Sequence, residues 1–119
     1  MMAVETIESE IRNLRARVEG SATALIACNG ALLAGELPTG TNAEAFAVLC
    51  ATAFGAAVAA SAELSSPPPT RIVIEDEVST TILARSGEKT LLVAVVDRSA
   101  DRTRVLDEVG RTAEHLRTD

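Results

Sequence analysis

Few side chains in this sequence could do chemistry. His115 is the only histidine, and Cys28 and Cys50 are the only cysteines. A thiol activated by a neighbouring imidazole would make a nucleophile. Yet Cys28 closes an apolar strand-like stretch, Cys50 lies inside a long alanine-rich run, and His115 sits on a charged stretch near the C-terminus. Two cysteines without metal-ligand spacing read as buried structural thiols, and a lone histidine among charges reads as solvated. Glu75-Asp76-Glu77 could hold a metal or run acid–base chemistry, but carboxylates between two strand-like segments read as a solvated turn. No GxxxxGK[ST] run is present, so no phosphate-cradling loop of that kind is encoded. Asp97, Arg98, Asp101, Arg102, Arg104, Asp107 and Glu108 form a mixed-charge helix entrance that reads as serving solubility and dipole complementarity, with a partner-docking surface as the alternative. The expectation is a protein that is not an enzyme, with no catalytic residues, no metal and no cofactor.

The whole chain narrows the classes further. Its 119 residues make one domain spanning 1–119, long enough for a sizeable core. A net charge of −6, with 2% aromatic residues and no basic stripe, disfavours nucleic acid as a partner. Met1-Met2-Ala3-Val4-Glu5 lacks a charged-then-apolar leader pattern, which makes a cytoplasmic location the expectation.

The element that must organise the rest is Asn42–Glu63, a helix built mostly of alanine with charge only at its ends. Thr41-Asn42-Ala43-Glu44 has the spacing of a capping box, with Thr41 as the cap. Leu64-Ser65-Ser66-Pro67-Pro68-Pro69 stops the helix at its far end. Ala47, Ala51, Gly55, Ala59 and Ala62 run down one side of this helix, and small residues in such a row let another backbone approach closely. Gly55 inside a helix costs roughly 1 kcal/mol relative to alanine, which close contact would explain. Ala45 to Ala62 is uncharged over the length of a membrane span. It is poor in leucine and isoleucine, however, and has no Lys/Arg cluster to orient it. A helix packed in the protein, without membrane insertion, is therefore the expectation. An all-round apolar helix needs cover on all sides. One side can lie on the chain's own sheet, and a second copy of the chain is the simplest cover for the other.

The remaining elements follow from periodicity. Val4, Ile7, Ile11, Leu14 and Val18 give a helix with one apolar stripe, ending before Gly20. Ala22–Cys28 and Ala31–Gly35 flank Asn29-Gly30, a strong hairpin signal. Arg71–Asp76, Ser79–Arg85 and Thr90–Val96 are three further strands. Val105, Val109, Ala113 and Leu116 stripe a last helix over Asp101–Leu116, which Ser99 or Asp101 can begin. Ala22–Cys28 and Thr90–Val96 are apolar on both faces and belong side by side in the middle of a sheet.

The fold class is α+β: a three-layer α-β-α sandwich around a five-stranded, mostly antiparallel sheet. Its element order is helix-strand-strand-helix-strand-strand-strand-helix, in the manner of profilin-like domains. Arg71–Asp76 then falls at an edge, leaving Ile72, Val73 and Ile74 exposed beside a helix with an uncovered side. An unblocked apolar edge is a liability. Pairing with the same strand of a second copy would remove it, with Arg71 approaching the Glu75-Asp76 end of its mate. The expected homodimer interface is Arg71, Ile72, Val73, Ile74 and Glu75 from the strand, with Ala51, Gly55, Val58, Ala59 and Ala62 from the helix.

This order resembles the Roadblock/dynein light chain family. The residues that carry the resemblance are Val18-Glu19-Gly20-Ser21-Ala22 leading into an apolar strand, then Asn29-Gly30, Leu37-Pro38 and Ile72-Val73-Ile74-Glu75. The resemblance implies a non-catalytic homodimer with a sheet running across the subunit boundary. It also implies a scaffold or regulator of a small Ras-like GTPase. The partner-facing positions it implies lie around the middle helix, with Thr41 and Glu44 at one end and Glu63 and Leu64 at the other. A small-molecule sensor of profilin-like or PAS-like shape is the rival reading. It needs a cavity that alanine-rich packing disfavours. A purely structural subunit of a larger complex is the third.

Overall fold

The computed structural model describes residues 3–117, so Met1 and Met2 of the N-terminal stretch lie outside the described residues. The elements are α1 (Val4–Val18), β1 (Ala22–Ala27), β2 (Leu32–Glu36), α2 (Ala43–Glu63), β3 (Arg71–Glu75), β4 (Ser79–Arg85), β5 (Thr90–Asp97) and α3 (Arg102–His115). The strands form one antiparallel sheet in the order β2-β1-β5-β4-β3. Helices α1 and α3 cover one face and α2 lies on the other. The α+β class, the element order and the central pair β1 and β5 are as the sequence predicts.

Side-chain alternation explains why the central strands are apolar throughout. Leu25 of β1, Ile82 of β4, and Leu92, Ala94 and Val96 of β5 pack toward α1 and α3. Their neighbours Ala24, Ile26, Leu83, Leu91 and Val93 pack toward α2. Both faces are covered, so period-2 polarity disappears where it would otherwise mark a one-sided sheet.

The terminal helices each bury one stripe, Ile11, Leu14 and Val18 in α1 and Val105, Val109 and Ala113 in α3. Polar pins hold them in place. The Thr23 hydroxyl donates to the Ile11 carbonyl at 2.8 Å, and Ser86 donates to the Ala113 carbonyl at 2.6 Å, both buried. Arg17 ties the helices together, donating to Glu108 at 2.7 Å and to the Thr112 hydroxyl at 3.0 Å.

Three local expectations need correction. The cap of α2 is Asn42, whose side chain accepts from the Ala45 amide at 3.0 Å. Thr41 instead turns its amide back to the Pro38 carbonyl. Both are good cap formers, and the backbone entering from Pro38 decides between them. The hairpin between β1 and β2 is a three-residue loop rather than a two-residue one. Gly30 donates to the Ala27 carbonyl and adopts φ +97°, the left-handed residue that follows a type I turn in such loops. Cys28 consequently belongs to the loop and is exposed rather than buried, while Cys50 is half-buried on α2.

Candidate interaction surface

Helix α2 is long, apolar and only partly covered. Of its 21 residues, Ala47 and Phe54 alone are fully buried. Cys50, Ala51 and Val58 rest partly on the sheet, with Ile72 of β3 beneath the same cluster. The small-residue row does not keep to one side. A step of four residues overshoots a full turn by about 40°, so the row from Ala47 to Ala59 spirals from the sheet toward solvent. Ala47 is buried, Ala51 half-buried, and Gly55, Ala59 and Ala62 are exposed. A Cβ added at Gly55 would meet no atom within 4 Å. Nothing in its own subunit therefore requires a glycine there. By length and composition α2 could also cross a membrane, but its inner face is seated on the sheet.

Strand β3 is a free edge. Its register with β4 is unbroken from Arg71↔Ala84 to Glu75↔Thr80. The Arg85 amide donates to the Thr70 carbonyl and the Asp76 amide to the Ser79 carbonyl. Even-numbered residues therefore bond inward to β4. Antiparallel pairs alternate, so the amides and carbonyls of Arg71, Val73 and Glu75 point outward to the open edge. Ile72 and Val73 are half-buried on opposite faces, and Ile74 is 46% exposed.

Charge at the β3 end is settled inside the subunit. Glu75 is bracketed by Arg98 at 2.9 Å and Arg102 at 2.5 Å. The Arg102 hydrogen bond, with the charges of both arginines, holds the Glu75 carboxyl below its ordinary range. Asp76 folds the turn by accepting from the Val78 and Ser79 amides and the Ser79 hydroxyl, which lowers its pKa too. Arg98 also donates to the Asp76 carbonyl at 2.7 Å. The acidic turn is thus a built corner, and two of its three carboxylates are occupied. Among the described residues, the side chains of Glu77 and Arg71 make no hydrogen bond or ion pair.

The positions expected at the ends of α2 are all exposed: Thr41 and Glu44 at the start, Glu63 and Leu64 at the finish. A 21-residue helix spans about 30 Å, so these two pairs form separate patches. Val48 and Leu49, 51% and 67% exposed, lie on the outer face toward its N-terminal end and are not among the positions expected from the sequence. In a helix that is apolar all round, nothing distinguishes an exposed apolar residue from a covered one. Val48 edges an open groove of about 700 Å³ with Gly30, Leu32 and Ala43. A smaller cleft of about 260 Å³ lies between Phe54 and Val58 of α2 and Arg85 and Leu91 of the sheet.

The chemistry-bearing side chains stay apart. His115 is exposed and lies 3.9 Å from Glu10 on α1, whereas the Cys28 thiol donates to the Glu88 carbonyl. Burial pushes the Cys50 thiol up, away from reactivity. Among the described residues, no group of three or more His, Cys, Asp or Glu is arranged to hold a metal ion.

Known proteins share this fold. Myxococcus xanthus MglB superposes with a TM-score of 0.91 at 15% identity, over 98% of this chain and 88% of that one. The gliding protein MglB of Thermus thermophilus gives 0.87 at 23% identity, over 98% and 90%. Acanthamoeba castellanii profilin IB gives 0.69 at 18% identity, over 92% and 94%, which places the profilin-like shape on firm ground. No curated protein matches the chain in sequence. The Roadblock/LC7 domain model matches residues 7–96, well over half of the chain. The chain belongs to the Roadblock/LC7 domain family.

Proposed function

We propose that the protein is a non-catalytic, cytoplasmic homodimer that regulates or scaffolds a small Ras-like GTPase. The observation that carries the dimer is the pairing of two unfinished surfaces. The outward backbone groups of Arg71, Val73 and Glu75 lie beside an α2 whose outer face, from Ala45 to Ala62, has no charged residue. Antiparallel pairing of β3 with its copy would satisfy those groups and extend the sheet to a second subunit. With Val73 on the two-fold axis, Arg71 of one copy stands opposite Glu75 of the other. Ile72 and Ile74 then face each other on the α2 side. Gly55, Ala59 and Ala62 provide the low-profile surface that lets two helices come close.

The GTPase role rests on membership of the Roadblock/LC7 family and on the shape shared with MglB proteins. In this reading Thr41 and Glu44, with Val48 and Leu49 nearby, meet the partner at one end of α2. Glu63 and Leu64 meet it at the other. The test is copurification from the source cell, combined with GTP hydrolysis by a Ras-like GTPase encoded nearby. Recovery of that GTPase, or a changed hydrolysis rate, supports the proposal. Failure of both, with the dimer intact, removes the GTPase and leaves a structural subunit.

A further inference from the structure

Between Arg17 and Arg71 the chain has no lysine or arginine, and Glu19, Glu36, Glu44 and Glu63 carry the only full charges there. That stretch supplies β1, β2 and α2. The helix that covers this face, and the two strands before it, therefore bear negative charge alone. The open groove of about 700 Å³ beside Val48 falls within the same stretch. Its walls are the β1–β2 hairpin, from Asn29 to Leu32, and the first turns of α2, from Ala43 to Val48. The walls meet closely, since a Cβ at Gly30 would stand 3.2 Å from a Val48 methyl carbon. The groove lies on the β2 side of the sheet and β3 forms the opposite edge, so pairing of β3 with its copy leaves it open.

The groove is lined mostly by apolar groups, and its two polar side chains have capacity to spare. Glu44 makes no hydrogen bond or ion pair among the described residues. Neither Arg85 nor Lys89 from the β4–β5 turn lines the groove, so Glu44 is its one charged group. The positive end of the α2 dipole amounts to about half a charge and leaves the carboxylate in excess. Asn29 accepts from the Ala31 amide at 3.0 Å through its side-chain oxygen, which leaves its NH2 group to donate to a carbonyl. We infer that the groove seats a segment of a protein partner that carries a lysine or arginine beside an apolar side chain, the cation meeting Glu44 and the apolar group covering Leu32 and Val48. The inference rests on the partner-facing reading of Glu44, Val48 and Leu49 proposed above and deepens it by naming the chemistry the partner brings. An acidic segment would set like charge against Glu44, and a purely apolar one would cover the carboxylate without a partner. The surrounding carboxylates steer a basic partner toward this face, and salt screens that attraction.

The experiment titrates the isotope-labelled full chain, read by NMR, with a short capped peptide of alternating leucine and arginine, and with the same peptide carrying glutamate for arginine. The basic peptide is expected to shift the amides of Gly30, Ala31, Glu44 and Val48, and the acidic peptide to leave them in place. Glu44→Gln should weaken the basic peptide about fivefold, and Val48→Ala about threefold. Glu5→Gln, the same change of charge on α1, should not weaken it, and thermal melts check that each variant is folded. Shifts that are absent from the groove, alike for both peptides, or unaltered by Glu44→Gln overturn the seat. A Ras-like GTPase encoded nearby, titrated in parallel, separates the seat from the reading beneath it. A GTPase that binds the wild type and Glu44→Lys equally overturns the seat and leaves the GTPase standing. A wild type that takes the basic peptide in the groove and does not bind the GTPase supports the seat and overturns the GTPase.

Discussion

The sheet has two edges, and they are finished differently. At the β2 edge, Leu25 pairs with Ala34 and Ile26 with Leu32, so Leu33 is an extra residue that bulges the strand. Glu8 and Arg12 of α1 lie against Leu33–Glu36, and Leu37-Pro38 ends the strand. Bulge, charge and proline are the devices by which sheets avoid pairing with one another. The β3 edge has no bulge, and its charges, Arg71 and Glu75, stand only at the two ends of the strand, with Pro69 before it. Its register is unbroken, it contains no lysine or proline, and its charged corner is closed on itself by Arg98 and Arg102. The same chain therefore discourages association at one edge and leaves it open at the other. An edge left open in this way is a surface suited to pairing, with α2 supplying the bare helix beside it.

The contrast is broken most severely by a substitution at the centre of β3. Val73→Pro removes an outward amide from each copy without touching the ladder to β4, and the two hydrogen bonds lost across the axis are expected to cost the dimer about 2 kcal/mol, about thirtyfold in affinity. Sedimentation should show monomers at concentrations where the wild type is dimeric. Gly55→Leu comes next. Because Gly55 has open space in its own subunit, leucine should leave the melting temperature of the isolated subunit unchanged or raised, by up to about 1 kcal/mol of helix propensity. Dimerisation should fall at least tenfold. A dimer unaffected by this change would mean that the two helices do not meet at that position.

A change remote from both edges supplies the baseline. Asn42→Ala removes the α2 cap and should cost about 1 kcal/mol of stability, whereas Thr41→Ala should cost little, as read from thermal melts. Acid sharpens the difference between the edges without any substitution. Glu75 and Asp76 have folded pKa values below their ordinary ones, so their contribution to stability is complete above the ordinary carboxylate range. It is lost as pH falls through that range toward the depressed values. Hydrogen exchange at Val78 and Ser79, corrected for its intrinsic pH dependence, should lose protection there before β2 does. The smallest effect belongs to the finished edge: Leu33→Lys should alter neither oligomeric state nor stability by more than about 0.5 kcal/mol.

What the sequence made legible was whatever depends on periodicity. The central strands were readable because Thr90–Val96 and Ala22–Cys28 are apolar on both faces, and the terminal helices because each has one stripe. The free edge of β3 followed from strand order alone. Features that depend on distant residues were not readable. Nothing near Glu75 in sequence announces Arg98 and Arg102, and the bulge at Leu33 leaves no compositional mark. The choice of Asn42 over Thr41 as cap turns on one backbone contact to Pro38. The row from Ala47 to Ala62 looked like one face because spacing by four resembles a helical repeat. The drift of about 40° at each four-residue step carries Gly55 and Ala59 out to solvent, where they are free to meet another surface.

The most direct test of the account is sedimentation equilibrium of the intact wild-type chain over a range of micromolar concentrations. The account predicts a mass twice that of one chain, falling toward a single chain on dilution. A single-chain mass at every concentration would contradict it, because the outward groups of Arg71, Val73 and Glu75 would then be satisfied by water alone.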